Sequence, residues 1–238
     1  DAVSLAGAAG KLNAVDLTFD LQNRYNIWSG LIGGTFLALA YFGTDQSQVQ
    51  RYLSGKSIAH SRISLLFNGI AKIPMQFIIL FTGAMVFVFY IYQQPPLLFQ
   101  PVELNNIQTL EEYGPLSERY RQAFEERRAA ATELIQARRN GDRAHEQDSL
   151  ERYRQAHRKL NEARTEGAEL VKKASSSAGF NDTNYIFLSF VTRYMPAGVV
   201  GLIMAMIFAA AMSSISAEIN SLATVSVIDL YKRHFRRE

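Results

Sequence analysis

The chain has no cysteine in 238 residues, which excludes disulfides and thiolate metal sites. Its four histidines, His60, His145, His157 and His234, are scattered through polar stretches and lack metal-ligand spacing. Gly33-Gly34 opens no phosphate-binding motif. The first residues, DAVSLAGAAGKLNAVD, have neither a basic start nor a long apolar core, so no signal peptide is read there. The chain starts without Met, and the expectation is a piece of something longer. Charge is scarce over two thirds of the sequence: 28 of the 47 charged residues, 14 acidic and 14 basic, lie between Glu103 and Lys173. The mean hydropathy of -0.05 therefore averages an apolar part with a very polar one.

What is present is three apolar segments. The first, WSGLIGGTFLALAYFG, covers 28–43, is slightly short for a span of about 20 residues, and breaks at Gly43-Thr44. The second runs over 63–92 with Lys72 and Pro74 inside, and the third over 197–227. One such run could be a core helix, but three in one chain predict membrane spans. Basic residues set the orientation. Arg51, Lys56 and Arg62 between the first two segments, and Lys232, Arg233, Arg236 and Arg237 after the third, are expected on the cytoplasmic side. Residues 1–27 and 93–196 are then expected outside, with 51–62 a cytoplasmic loop, 180–196 a re-entry loop and 234–238 a cytoplasmic tail.

The outer insertion, 93–179, opens with Pro95, Pro96 and Pro101, which disfavour helix. Beyond it a narrow apolar stripe recurs at helical spacing: Leu116, Tyr120, Phe124, Ala131 and Leu134, then Leu150, Tyr153, His157, Leu160 and Val171. Asn140-Gly141-Asp142 reads as a turn, so two antiparallel helices are expected over about 116–139 and 143–174. ERYRQA occurs at 118–123 and again at 151–156, but two copies are too few for a solenoid. Acids balance bases along the hairpin, which points to a solvated ion-paired face and away from nucleic acid. The hairpin at 103–173 is expected to be either a site for a protein partner or an ornament.

Several residues carry chemistry. Ala210, Ser213 and Ser214 share one helix face, and small residues with hydroxyls suit either close helix packing or oxygen ligation of a hard cation. Asp45, with Gln46, sits at the break in the first segment, where it is either a functional carboxylate within the membrane or a cap for QSQVQRYL. Lys72 lies about ten residues, roughly 15 Å, inside the second segment, a stretched distance for snorkelling. It suits the binding of a polar solute. Glu218 reads as a solvated or paired carboxylate.

FGTDQSQVQRYLSGKS (42–57) resembles the sixth core helix and following loop of the sodium:solute symporter family. MPAGVVGLIMAMIFAAAMSSISAEINSLATVSVIDLYKR (195–233) resembles that family's eighth core helix. The likeness covers roughly 28–92 and 180–234, whereas the 103–173 hairpin is not part of the family pattern. It implies an all-α membrane protein, part of an inverted-repeat (five-plus-five helix) symporter fold with a charged extramembrane hairpin inserted. The three segments would be core helices six to eight, the remaining helices lying outside this chain.

The resemblance also implies roles. Ala210, through its carbonyl, and Ser213 and Ser214, through their hydroxyls, match sodium-site positions. Tyr41 matches the aromatic residue closing the substrate cavity toward the cytoplasm, and Lys72 a lysine that contacts sugar in sugar carriers. Ala38 stands where those carriers place a polar side chain, and Asp45 and Gln46 match a polar pair found in several branches. The implied activity is sodium-coupled symport of a small polar solute, a sugar or similar, across the cell membrane. Sodium is the coupling ion, and no catalytic residue or other cofactor is expected. The alternative is a membrane-anchored interaction or sensor protein acting through the hairpin.

Overall fold

The structure is a computed structural model describing residues 1–12, 16–20, 26–53, 55–175 and 180–235. Arg236 and Arg237, two of the basic residues used for orientation, lie outside the described residues. The described residues are mostly helical, without a strand among them. They group into two units, one of 1–13 with 79–195 and one of 14–78 with 196–238.

The first unit is built on the hairpin. Helix α6, Tyr113–Asn140, and helix α7, Arg143–Ser175, compare with the expected 116–139 and 143–174. Gly141 closes α6 with φ of 70°, a left-handed conformation that only glycine adopts without penalty. The Gly141 and Asp142 N–H groups then donate to the Arg138 and Ala137 carbonyls (3.2 and 3.1 Å). Asp142 caps α7, its Oδ1 accepting the His145 N–H at 3.1 Å. Ion pairs cross the hairpin between Arg119 and Glu166 (2.7 Å), Lys159 and Glu126 (2.7 Å), and Arg152 and Glu133 (3.1 Å). All six side chains are more than 40% exposed, so each pair contributes only about 0–1 kcal/mol and serves register more than stability.

Stability in this unit comes from the apolar stripe. Leu116, Tyr120, Phe124, Leu160 and Val171 are buried in one cluster with Leu97, Leu98 and Ile107. A second cluster joins Ala130, Ala131, Leu134 and Tyr153 to Leu5 and Ala6 of helix α1 (Ala2–Ala8) and to Ala84, Val88 and Ile91 of helix α4 (Ile58–Tyr92). Each fully buried large apolar side chain contributes about 1.5–3 kcal/mol, which outweighs the surface pairs. Tyr120 and Tyr153, equivalent positions of the two ERYRQA copies, are both buried.

One expectation is corrected here. Pro101 does not keep the insertion from being helical. It occupies the first turn of helix α5, Pro101–Gln108, where a missing N–H costs nothing and the fixed φ is already helical. Helix α8, Thr183–Tyr194, completes the unit, its Phe190 and Tyr194 packing with Val86, Tyr90 and Phe99. Gly167 lies against Leu97, whose side-chain carbons would sit 3.3 Å from an added Cβ.

The second unit holds helix α2 (Ile27–Gly43), helix α3 (Gln46–Leu53), α4 up to Ile78, and helix α9 (Ala197–Thr224) with a π-helical continuation, Val225–Lys232. Asn26 caps α2 by accepting the Ser29 N–H at 2.8 Å. Among the described residues, two helices, Ile58–Tyr92 and Ala197–Lys232, are long and apolar enough to cross a membrane. The α2–α3 pair makes a third candidate, bent by 66° at its break. From Ile58 to Gly83, about 39 Å at 1.5 Å per residue, the side chains of α4 are largely exposed, and burial begins at Ala84. A stretch this apolar and this exposed is matched to lipid, not to water.

Candidate functional site

The break between α2 and α3 is made by backbone and side-chain hydrogen bonds. The Thr44 and Asp45 N–H groups both donate to the Ala40 carbonyl (3.0 and 3.1 Å), and Thr44 Oγ1 donates to the same oxygen (2.8 Å). Asp45 Oδ1 accepts the Ser47 N–H (3.0 Å) and the Ser47 hydroxyl (2.7 Å), while its carbonyl accepts the Val49 N–H (2.9 Å). This is the arrangement of a helix cap, and Ser47 is buried beneath it. Gln46 starts α3 on its exposed side.

Tyr41 lies at the end of α2 and lines a cleft of about 370 Å³ with Arg51, Tyr52, His60, Ser61 and Asn68. The Tyr52 hydroxyl donates to the Phe42 carbonyl, and Ser61 Oγ donates to the Tyr52 carbonyl (2.6 Å). The cleft is thus tied across the α2–α3 break and the start of α4. Helix α3 packs against α9, where Asn220 Nδ2 donates to Gln50 Oε1 at 3.1 Å. Ala210, Ser213 and Ser214 lie on α9 about two to three turns before Asn220, on one exposed face. Lys72 is exposed on α4, two residues before Pro74, and no ion pair to it occurs among the described residues. The structure thus places Tyr41 in a cleft with residues of α3 and α4 and joins α3 to α9, while Asp45 and Gln46 do not line that cleft and Lys72 stands apart on α4.

The sequence pattern placed Tyr120, Tyr153 and His157 on the apolar stripe but did not single out Arg127, Arg164 or Asp182, which the structure buries or half-buries beside them. Arg127 is 3% exposed and donates through Nη2 to the Tyr90 carbonyl at 2.5 Å. Burial holds its guanidinium below the usual arginine range. His157 stacks on Tyr153 with ring centroids 6.0 Å apart, and burial, with repulsion from Arg127 and Lys11, lowers its pKa to about 4. Burial pushes the Tyr120 hydroxyl up to about 12, and that group donates to the Pro95 carbonyl at 3.2 Å. Arg164 pairs with Asp182 at 3.0 Å and lies 4.9 Å from the centre of the Phe99 ring. A usable signal was an arginine at helical spacing from Phe124 and Ala131, inside the apolar stripe.

With this geometry in place, likeness to known proteins becomes informative. Residues 167–238 match the sodium:solute symporter family. The human sodium/iodide cotransporter is 30% identical over 114 residues, 48% of this chain and 17% of the relative. The mouse sodium-coupled monocarboxylate transporter 2 is 40% identical over 63 residues, covering 26% of this chain and 10% of the relative. The rabbit sodium-dependent multivitamin transporter is 31% identical over 98 residues, 40% of this chain and 15% of the relative. No solved structure matches significantly. The likeness to the family is confined to residues 167–238 for the family match and to these partial stretches for the named transporters. The chain spans about a sixth or less of the length of these relatives.

Proposed function

We propose that the full-length protein is a sodium-coupled symporter of a small polar solute in the cell membrane, with part of its sodium site on α9. The observation that supports this most directly is the family match over 167–238, because α9 bears Ala210, Ser213 and Ser214 on one face. A hard cation prefers oxygen, and two hydroxyls one turn beyond the Ala210 carbonyl supply three such atoms on one side. The carbonyl keeps its helical bond to the Ser214 N–H, and its second lone pair remains for an ion. Helices outside this chain supply the other ligands.

The solute is an anion on this reading. The similar proteins are named for iodide and monocarboxylates, and Lys72 is the one cation of α4 beyond Arg62. In the apolar span an ammonium without a carboxylate partner is costly, and an anionic solute offsets that cost. Tyr41 and its cleft form the cytoplasmic gate. Asp45, by capping α3, holds the break in shape, and Gln46 stands beside it on the solute path. Residues 51–62 face the cytoplasm, and the hairpin projects on the opposite side. Sodium drives uptake because it binds the outward-facing state in preference, since an ion indifferent to state would shift nothing.

The test is uptake into proteoliposomes of the full-length protein, with iodide, lactate and glucose as labelled probes. An inward sodium gradient should drive uptake of one of the anions, and an equal potassium gradient should not. Replacing Ser213 and Ser214 together by alanine should abolish the sodium dependence while the helical circular dichroism is kept. Equal uptake in sodium and potassium, or sodium dependence that survives the double substitution, overturns the assignment.

A further inference from the structure

A cavity of about 450 Å³ lies within the hairpin unit, a size typical of ligand sites. One wall is the α4 surface of Ile79, Leu80, Gly83 and Phe87. Ile79 and Leu80 are 55% and 54% exposed and belong to the helix of membrane-spanning length. The facing wall carries Lys11, Arg127, His157 and Arg164. Three of these are cations, and no acidic side chain lines the cavity. Asp182 is already taken by Arg164.

Arg127 is the unexplained member. Its guanidinium is buried, its one hydrogen bond among the described residues goes to a neutral carbonyl, and Nε has no partner there. The Nδ1 atom of His157 is also buried without a partner. A buried cation without a counter-charge costs several kcal/mol, so the fold tolerates Arg127 best when an anion completes its shell. The apolar wall specifies what else that anion carries. It continues along α4 into the exposed apolar stretch, so the occupant has a hydrocarbon tail that enters from the bilayer.

We propose that this cavity binds an anionic phospholipid. The phosphate meets Arg127 with Lys11 at the rim, and one acyl chain lies along Ile79, Leu80, Gly83 and Phe87. The site lies at the level where the exposed part of α4 gives way to its packed part, which is where a headgroup belongs. Bound there, the lipid fastens the hairpin to the membrane surface and supplies the charge that Arg127 lacks. This inference rests on α4 lying in the bilayer, and not on transport.

The test uses the full-length protein in detergent and counts retained lipid by native mass spectrometry. Phosphatidylglycerol and phosphatidylcholine are offered at equal mole fraction, with inorganic phosphate as a separate arm. Phosphatidylglycerol should be retained over phosphatidylcholine by about tenfold or more, given the uncompensated cations. Two substitutions keep the test independent of folding. Lys11 is exposed, so Lys11→Glu alters the rim alone, and Gly83 has open space around an added Cβ, so Gly83→Leu fills the cavity. Each should remove most of the preference for phosphatidylglycerol. Equal retention of the two lipids, or a preference unchanged in both variants, overturns the proposal. So does displacement of the lipid by millimolar inorganic phosphate, which would make this a soluble-anion site. Because the readout is bound lipid, loss of sodium-driven uptake leaves the outcome untouched.

Discussion

Replacing Asp182 with alanine removes a carboxylate that ties three parts of the hairpin unit together. Its Oδ2 accepts the Phe99 N–H at 2.7 Å, both oxygens accept from Arg164 Nη2 (3.2 and 3.0 Å), and its carbonyl accepts the Tyr185 N–H (2.9 Å) at the start of α8. The Asp182 and Arg164 side chains are 12% and 24% exposed, so water screens the pair only in part. Alanine leaves the buried Phe99 amide without an acceptor and Arg164 with little besides the Phe99 ring. The summed cost is about 3 kcal/mol, whereas asparagine, which keeps one acceptor for Phe99, costs about 1 kcal/mol. Hydrogen exchange of the full-length protein reads this locally. Protection of the Phe99 amide should fall about 100-fold in Asp182→Ala and far less in Asp182→Asn. The double variant with Arg164→Ala should be less destabilised than the sum of the singles by about 1 kcal/mol, since the two residues share one network. Equal effects of alanine and asparagine, an unchanged Phe99 amide, or strict additivity would refute the argument.

Other outcomes follow from the same geometry. Gly141→Ala forces a side chain into a left-handed backbone (φ 70°) and should lower stability by about 1–2 kcal/mol, measurable by thermal unfolding. His157 is held neutral, its pKa depressed to about 4 by burial and by Arg127 and Lys11. Its contribution is therefore complete above the unfolded-state pKa near 6.5 and is lost as pH falls from there toward 4. After discounting for partial exposure, the loss is about 1–2 kcal/mol, and unfolding curves of His157→Gln should be flatter over that window. These 238 residues contribute no cysteine, so labelling is done in the full-length protein with any cysteine elsewhere replaced. Cysteine at Ile70 or Leu202 should react with a lipid-soluble maleimide and resist an impermeant one. Cysteine at Arg119 should react with the impermeant reagent added outside intact cells, and the reverse result would invert the proposed topology.

Features set by near neighbours were legible in the sequence. The hairpin shows in a stripe of period 3.6 because one helix face must be buried whatever covers it. The turn shows because residue 141 adopts a positive φ, which favours glycine. The stretch 195–233 carries its resemblance to the sodium:solute symporters in contiguous residues, and residues 167–238 match that family. Hydropathy, however, stays uniform along 63–92, because lipid and a packed leucine reward an apolar side chain alike. Only the tertiary structure shows that α4 stops being exposed at Ala84 and from there packs on Leu5, Leu134 and Tyr153. Only it brings Asp182 to Phe99 across 83 residues, or buries Arg127 against the Tyr90 carbonyl. The reason is the range of the forces involved. Periodicity, caps and turns are decided within a few residues of chain, whereas the partner that makes a buried charge or a covered face tolerable is chosen by the fold as a whole.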